Sequence, residues 1–257
     1  MDPLSRKGVS LGLGLLSIGR RWGVTDGEPP AREHAYALLS HAIARGIHLF
    51  DTAPAYGQSE AIFGEFLRAA GTDAARLIIA TKMGEHWIEG TAGTHTDHRF
   101  EALRPSIDRS LARLGRIDVM QVHKATRENL FSDGVLAAID YCRGKGIARF
   151  GASISDVDTA LTACASPVYS VLQFPFNLTN QRMAPVFAAA RAHRKILLIN
   201  RPYAMGELAA GNGVAKQRAL REALCFIRAQ DFDGYILSGT RTEAHLDETI
   251  AAFGPAP

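Results

Sequence analysis

The sequence predicts an α/β fold, a single (β/α)8 TIM barrel over residues 1–257. Three observations predict it. Eight short apolar runs alternate with about eight stretches of helical periodicity, the pattern of a parallel sheet with helices outside. A length of 257 residues suits one such barrel, and no charge run, low-complexity tract or long linker divides it. Three successive apolar runs end in the polar residues Asp51, Lys82 and His123. In a parallel barrel those strand ends share the rim that carries catalysis. A doubly wound open sheet is the alternative architecture.

The first strand is expected over residues 9–15, where Gly12 and Gly14 allow close backbone approach. Gly12, Gly14 and Gly19 lack the spacing and the following helix of a dinucleotide fingerprint. Pro29-Pro30 starts a helix with Ala35, Leu38, Leu39, Ala42 and Ile43 on one face and Gly46 as its stop. The second strand ends at Asp51. Residues 59–70 form an amphipathic helix with Ile62, Phe63, Phe66 and Leu67 inward and Gly71 after it. The third strand ends at Lys82, and the polar stretch 85–99 reads as a loop over the rim. Residues 100–114 are a helix with Leu103, Ile107, Leu111 and Leu114 at helical spacing, stopped by Gly115.

The fourth strand ends at His123. Helices follow at 135–145, 157–164 and 183–193, and strands at 148–152, 168–174 and 195–200. Residues 206–213 read as a flexible loop, 216–229 as a helix and 234–237 as the eighth strand. Thr240 and Glu243 make a capping-box signature that opens the last helix, which runs to about Phe253.

Composition excludes several classes. A net charge of +3 is too small for a nucleic-acid binder, and no apolar run approaches a membrane span. Residues 9–18 after Arg6-Lys7 imitate a signal peptide, but glycines interrupt the run and no cleavage site follows, so secretion is not expected. Cys142, Cys164 and Cys225 have no zinc or redox spacing and read as free core thiols in a reducing cytoplasm. His86, His95 and His98 with Asp97 match no metal-ligand spacing and read as a solvated loop. Arg104, Arg109, Arg113 and Arg116 read as a solvated helix face.

The polar strand ends suggest chemistry. A tyrosine phenol, with a pKa of about 10, is a poor acid at neutral pH. A nearby ammonium favours the phenolate and eases proton release, and a carboxylate keeps that ammonium charged and in place. A histidine on the same rim orients a carbonyl or relays the proton. Tyr56, Lys82, Asp51 and His123 match these roles, which suit protonation of a carbonyl oxygen as hydride reaches its carbon. Read singly, each residue has a bland alternative as a turn cap, rim lysine, structural histidine or loop aromatic.

Phe50-Asp51-Thr52-Ala53 through Tyr56-Gly57, then Thr81-Lys82, then Gln121-Val122-His123, resemble the aldo/keto reductase family. Residues 11–22 are similar to the family's opening strand, residues 172–178 to its sixth strand and the following loop, and residues 238–248 to its last cofactor-binding turn and helix. The resemblance implies a (β/α)8 barrel with an Asp-Tyr-Lys-His tetrad that uses NADP, or NAD, without metal. It implies that Gln173 and Ser153 hold the nicotinamide carboxamide, although Ile154 stands where the family usually has Asn. It implies that the seventh strand supplies a flat side chain stacked on nicotinamide; Asn200 and Arg201 are the candidates, and the planar guanidinium favours Arg201. Gly239, Thr240, Arg241, His245 and Glu248 fall in the implied phosphate and adenosine region, and Arg241 suits a 2′-phosphate. His245 and Thr249 depart from the family's usual Arg and Asn.

Trp22 and Trp87 lie just beyond the first and third strands, where they line a substrate pocket or pack beneath the loops. The chain is short for the family, which implies an open site or one completed by a partner chain or a second copy. The expected substrate is a small carbonyl or alcohol. The alternatives are a cofactor-binding accessory subunit and a lyase or isomerase on the same barrel.

Overall fold

The structure, a computed structural model, describes residues 4, 7–21, 27–91 and 93–254. Among them, β1 (Val9–Gly14), β2 (Leu49–Asp51), β3 (Ile78–Met83), β6 (Val119–Ala125), β7 (Arg149–Ile154), β8 (Val171–Pro175), β9 (Ile196–Asn200) and β10 (Gly234–Gly239) close into one barrel. All eight pairings are parallel, and the ring runs β1-β10-β9-β8-β7-β6-β3-β2 and back to β1. The doubly wound alternative is thereby excluded.

Parallel strands covered on both faces are apolar throughout, and all six residues of β3 are buried. Alternation still sorts them. Leu49, Ile78, Ala80, Val119, Val171, Leu198, Tyr235 and Leu237 form the inner core, closed by Leu4. Phe50, Ile79, Met120, Val122, Phe150, Leu172, Leu197 and Ile236 belong to the outer core under the helices. The two-residue period continues this order toward the rim, so Asp51, Lys82, Gln121 and His123 follow the inward-facing set. Asp51 pairs in register with Ala80, Lys82 with Gln121, and Ser153 with Gln173.

The helices between strands are α2 (Arg32–Ala44), α3 (Ser59–Ala70), α4 (Phe100–Leu114), α5 (Asp133–Gly144), α6 (Val157–Ala165), α7 (Ala184–Ala192), α8 (Gly213–Arg228) and α9 (Glu243–Phe253). A one-turn α1 (Leu16–Gly19) follows β1. Ser132 caps α5 by accepting from Val135 N, and Asp156 caps α6 by accepting from Thr159 N.

Several local expectations change. The stretch 85–99 is not a plain loop. It holds an antiparallel hairpin, β4 (Glu85–Trp87) and β5 (Thr94–Thr96), which lies over the rim and so lacks a core-facing apolar row. The helix after Pro29-Pro30 begins only at Arg32, because Ala31 is still extended at ψ 154°. The last helix is capped by Thr242, whose hydroxyl accepts from His245 N, while the Thr240 hydroxyl accepts from Thr242 N. The capping box drawn from Thr240 therefore starts two residues early. The stretch 206–213 is not all loop, since a 3-10 turn at Ala204–Ala209, kinked at Met205 and Gly206, reaches into it before α8 begins at Gly213.

Arg113 is not merely solvated. Its Nη1 lies 3.3 Å from Oε2 of Glu60, a carboxylate buried between α3 and α4. Glu60 Oε1 also accepts from Thr81 Oγ1 at 2.7 Å and Ser110 Oγ at 2.8 Å. Arg116 likewise donates to the Leu77 carbonyl. Glu60→Ala leaves two buried hydroxyls without their acceptor and is expected to cost about 2–3 kcal/mol by urea unfolding. Arg113→Ala is expected to cost under about 1 kcal/mol, because that side chain is 40% exposed.

Cys142 and Cys164 are buried, as expected, but Cys225 is exposed. Burial pushes the Cys142 thiol up to about 12 and the Cys164 thiol up to about 11. A thiol reagent at neutral pH is expected to label Cys225 in the native chain and all three cysteines only after unfolding.

Candidate active site

At the C-terminal rim, Lys82 is 1% exposed and its Nζ donates to Asp51 Oδ2 at 2.6 Å and to the Thr52 carbonyl at 2.9 Å. Gln121 Nε2 donates to Asp51 Oδ1 at 2.8 Å, so both carboxylate oxygens are engaged. The Lys82 ammonium stands 4.7 Å from the Tyr56 ring centroid, and the His123 ring meets Tyr56 edge-on at 5.8 Å. The four groups read from the strand ends are thus brought together.

Tyr56 reaches the rim from the turn after β2. Its N–H donates to the Ala53 carbonyl, Gln58 N–H donates to the Gly19 carbonyl, and Arg20 Nη1 donates to the Ala55 carbonyl. Thr52 and Ser59 hydroxyls meet at 2.8 Å, and Ser59 Oγ donates to the Leu15 carbonyl. Gly19 is required by close approach, since a Cβ there would lie 2.0 Å from the Tyr56 carbonyl oxygen. Gly19→Ala is expected to displace the turn and lower kcat at least about 10-fold while α2 and the barrel stay folded. Steady-state kinetics beside a circular-dichroism melt checks this.

The electrostatics refine the sequence argument. Burial pushes the Tyr56 phenol above the usual tyrosine value, and the Lys82 charge pulls it down only in part. The neighbouring ammonium therefore offsets burial and does not by itself make an acidic phenol. Burial works against the Lys82 ammonium, but Asp51 and Tyr56 outweigh it and hold the group charged. Burial, then the Lys82 and Lys124 charges, push His123 well below the usual histidine value, so it is neutral at pH 7. Glu85 Oε2 lies 3.0 Å from His123 Nδ1 yet off the direction of a hydrogen bond, since Nδ1 has no aligned partner.

A cleft of about 960 Å3 opens beside these groups. Asp51, Tyr56 and His123 line it together with Ser153, Gln173, Arg201, Gly239, Thr240, Arg241, His245 and Glu248. Both amide atoms of Gln173 and Oδ1 of Asn200 are buried there without a hydrogen-bond partner in the protein. Such atoms fit a planar amide that donates and accepts at once. Arg201 sits on the rim in a left-handed conformation, φ 54°, and its carbonyl accepts from Asn177 Nδ2. Ser17 Oγ donates to the Thr240 carbonyl at 2.8 Å, which fixes the turn between β10 and α9. The Gly27 backbone packs against the Arg241 guanidinium, where a Cβ would come within 2.6 Å of Nη1. Glu248 is paired with Lys216 of α8 at 2.6 Å, an ion pair the sequence did not suggest.

Other readings fare differently. Trp22 lies outside the described residues. Trp87 is absent from the cleft wall and donates its indole N–H to the Thr91 carbonyl, closing the hairpin turn. Its place just beyond the third strand suggested a pocket, but its indole is held within the hairpin. Ile154 packs in the outer core as well as meeting the cleft edge. His98 is part of the site's frame and not a solvated loop residue, for its Nε2 donates to the His123 carbonyl at 2.8 Å. His86 is buried and stacks on His95 at 5.1 Å. Sequence reasoning missed the site roles of Gln121, Glu85, Thr94 and Lys124. The spacing Val119-x-Gln121-x-His123 on an inward row was the available signal for Gln121.

A closed parallel barrel with a polar cluster and a cleft at its C-terminal rim defines a (β/α)8 protein with an enzyme-like site. Residues 10–213 match the profile of the Aldo/keto reductase family, and the chain belongs to that family. It is 31% identical over 189 residues to the aldo-keto reductase YhdN of Bacillus subtilis, covering 67% of this chain and 51% of that protein. It is 35% identical over 118 residues to L-galactose dehydrogenase of Arabidopsis thaliana, covering 44% and 34%. The chain thus spans about half or less of the curated relatives it matches. The crystal structure of PA4992 from Pseudomonas aeruginosa, assigned as an aldo-keto reductase, superposes with a TM-score of 0.78 at 29% identity, covering 95% of this chain and 88% of that one.

Proposed function

We propose that the protein reduces an aldehyde or ketone with NADPH, or with NADH, and oxidises the corresponding alcohol in reverse, with Tyr56 as general acid. One observation carries the reading. The Asp51–Lys82 pair, Tyr56 and His123 converge in the same cleft as the unpartnered Gln173 amide.

A nicotinamide cofactor, when bound, supplies or accepts the hydride. Gln173, Ser153 and Asn200 would hold its carboxamide, and Arg201 would lie against the ring. Thr240, Arg241 and His245, at the start of α9, would take the phosphates. Arg241 favours a 2′-phosphate and hence NADP. Glu248, already ion-paired with Lys216, would border the adenosine.

The protein's own part is the proton. The Tyr56 hydroxyl gives its proton to the carbonyl oxygen as that oxygen gains charge. Lys82 stabilises the phenolate left behind, Asp51 holds Lys82, and Gln121 holds Asp51. Neutral His123 orients the carbonyl without competing as an acid. Among the described residues no helix is long and apolar enough to cross a membrane. The unpaired cysteines suit a reducing compartment, and we place the protein in the cytoplasm.

Titration with NADPH and NADH, followed by fluorescence, tests the cofactor without any guess at substrate. Saturable binding, tighter for NADPH, is expected, with oxidation of NADPH when a carbonyl panel is added. Absence of binding by both nucleotides would overturn the reading. Tight binding with no turnover would favour an accessory subunit.

A further inference from the structure

The substrate end of the cleft carries a carboxylate that proton transfer to a carbonyl does not require. After Lys82, the chain turns at Gly84, φ 105°, where a Cβ would strike the His98 ring at 2.3 Å. That turn directs Glu85 back to the cleft wall, where the residue is only 8% exposed. Its Oε1 accepts from Thr94 Oγ1 at 2.7 Å across the hairpin, and Lys124 Nζ is 3.9 Å from the same oxygen. Oε2 approaches His123 Nδ1 without an aligned hydrogen bond.

An ionised carboxylate only accepts hydrogen bonds, and one held in a low-dielectric wall gains from each further donor. A plain carbonyl substrate offers none and strips water from Glu85 in return for nothing. A substrate with a hydroxyl next to its carbonyl offers one beside Tyr56 and His123. An ammonium is disfavoured there, because Lys124 Nζ already stands 3.9 Å from Glu85 Oε1. Resting on the carbonyl-reductase reading, we infer that Glu85 is a specificity-determining residue that selects hydroxylated, sugar-like carbonyls by accepting a hydrogen bond from the hydroxyl beside the reacting carbon.

The test compares glyceraldehyde with propanal, using NADPH, for the native chain, Glu85→Gln and Thr94→Val. The native chain is expected to favour glyceraldehyde in kcat/KM by at least about 10-fold. Glu85→Gln is expected to lower kcat/KM for glyceraldehyde by about 10- to 100-fold and for propanal by less than about 3-fold, which collapses the preference. Thr94→Val, which only loosens the carboxylate, is expected to act in the same direction by about 3- to 10-fold, and it decides the matter should Glu85→Gln fail to fold. An equal loss on both aldehydes would mean that Glu85 acts through His123 on the chemistry and would overturn the assignment. So would equal use of both aldehydes by the native chain. No NADPH oxidation with either aldehyde would overturn this inference and the reductase reading together.

Discussion

Replacing Tyr56 with Phe is expected to lower kcat for carbonyl reduction by about 100- to 10,000-fold, the range lost with a positioned general acid. The ring stays, so its packing against the Lys82 ammonium and the His123 edge stays too. Only the proton source is removed. Cofactor dissociation constants should therefore change less than about 2-fold, since Gln173 and the α9 turn are untouched. Burial raises the native phenol's pKa, which keeps it protonated through the neutral range, so loss of the hydroxyl is the whole effect. A Tyr56→Phe chain as active as the parent, measured by NADPH oxidation at saturating carbonyl, would remove Tyr56 from the chemistry.

Lys82→Met should be costly in a different way. The ammonium is 0% exposed and its Asp51 partner 4% exposed, so the change strands a buried carboxylate beside a single amide donor, Gln121. Breaking such a pair costs about 3–5 kcal/mol. Asp51→Asn with Lys82→Met removes both charges and should regain most of that loss, while activity stays low in both. Urea unfolding of the two single variants and the double variant measures the coupling. The pH dependence has a definite sign. The folded pKa of Lys82 is raised, so its contribution is fully present below the unfolded lysine value and is lost only as pH climbs through the folded one. Native stability attributable to Lys82 should be flat across neutral pH and fall only in strong alkali.

Much of this is legible in the sequence itself. Asp51 and Lys82 stood out because a charge at the end of an apolar run has few reasons to be there except a rim. The tyrosine followed from its fixed distance beyond Asp51. Gln121 escaped notice because an amide inside a strand looks tolerated until the inward row is known. Glu85 escaped because residues 85–99 are polar on both faces, and a hairpin lying over a rim has no apolar stripe to betray it. Helix membership alone does not bury Cys225. The buried face of α8 runs through Leu220, Ala223, Leu224 and Ile227, and position 225 falls off it. For Tyr56, residue types report the neighbouring Lys82 charge that lowers the phenol's pKa but not the depth of burial that outweighs it.

The hairpin has a consequence for how this protein could diversify. Among the described residues its two strands pair only with each other, and the Asp97 N–H closes the loop base on the Gly84 carbonyl at 2.9 Å. The segment between those two points is a cassette. Another sequence of similar length could be spliced in at 85–96 with the strand register intact, leaving the proton donor and its charge pair in place while a new set of side chains chooses the guest.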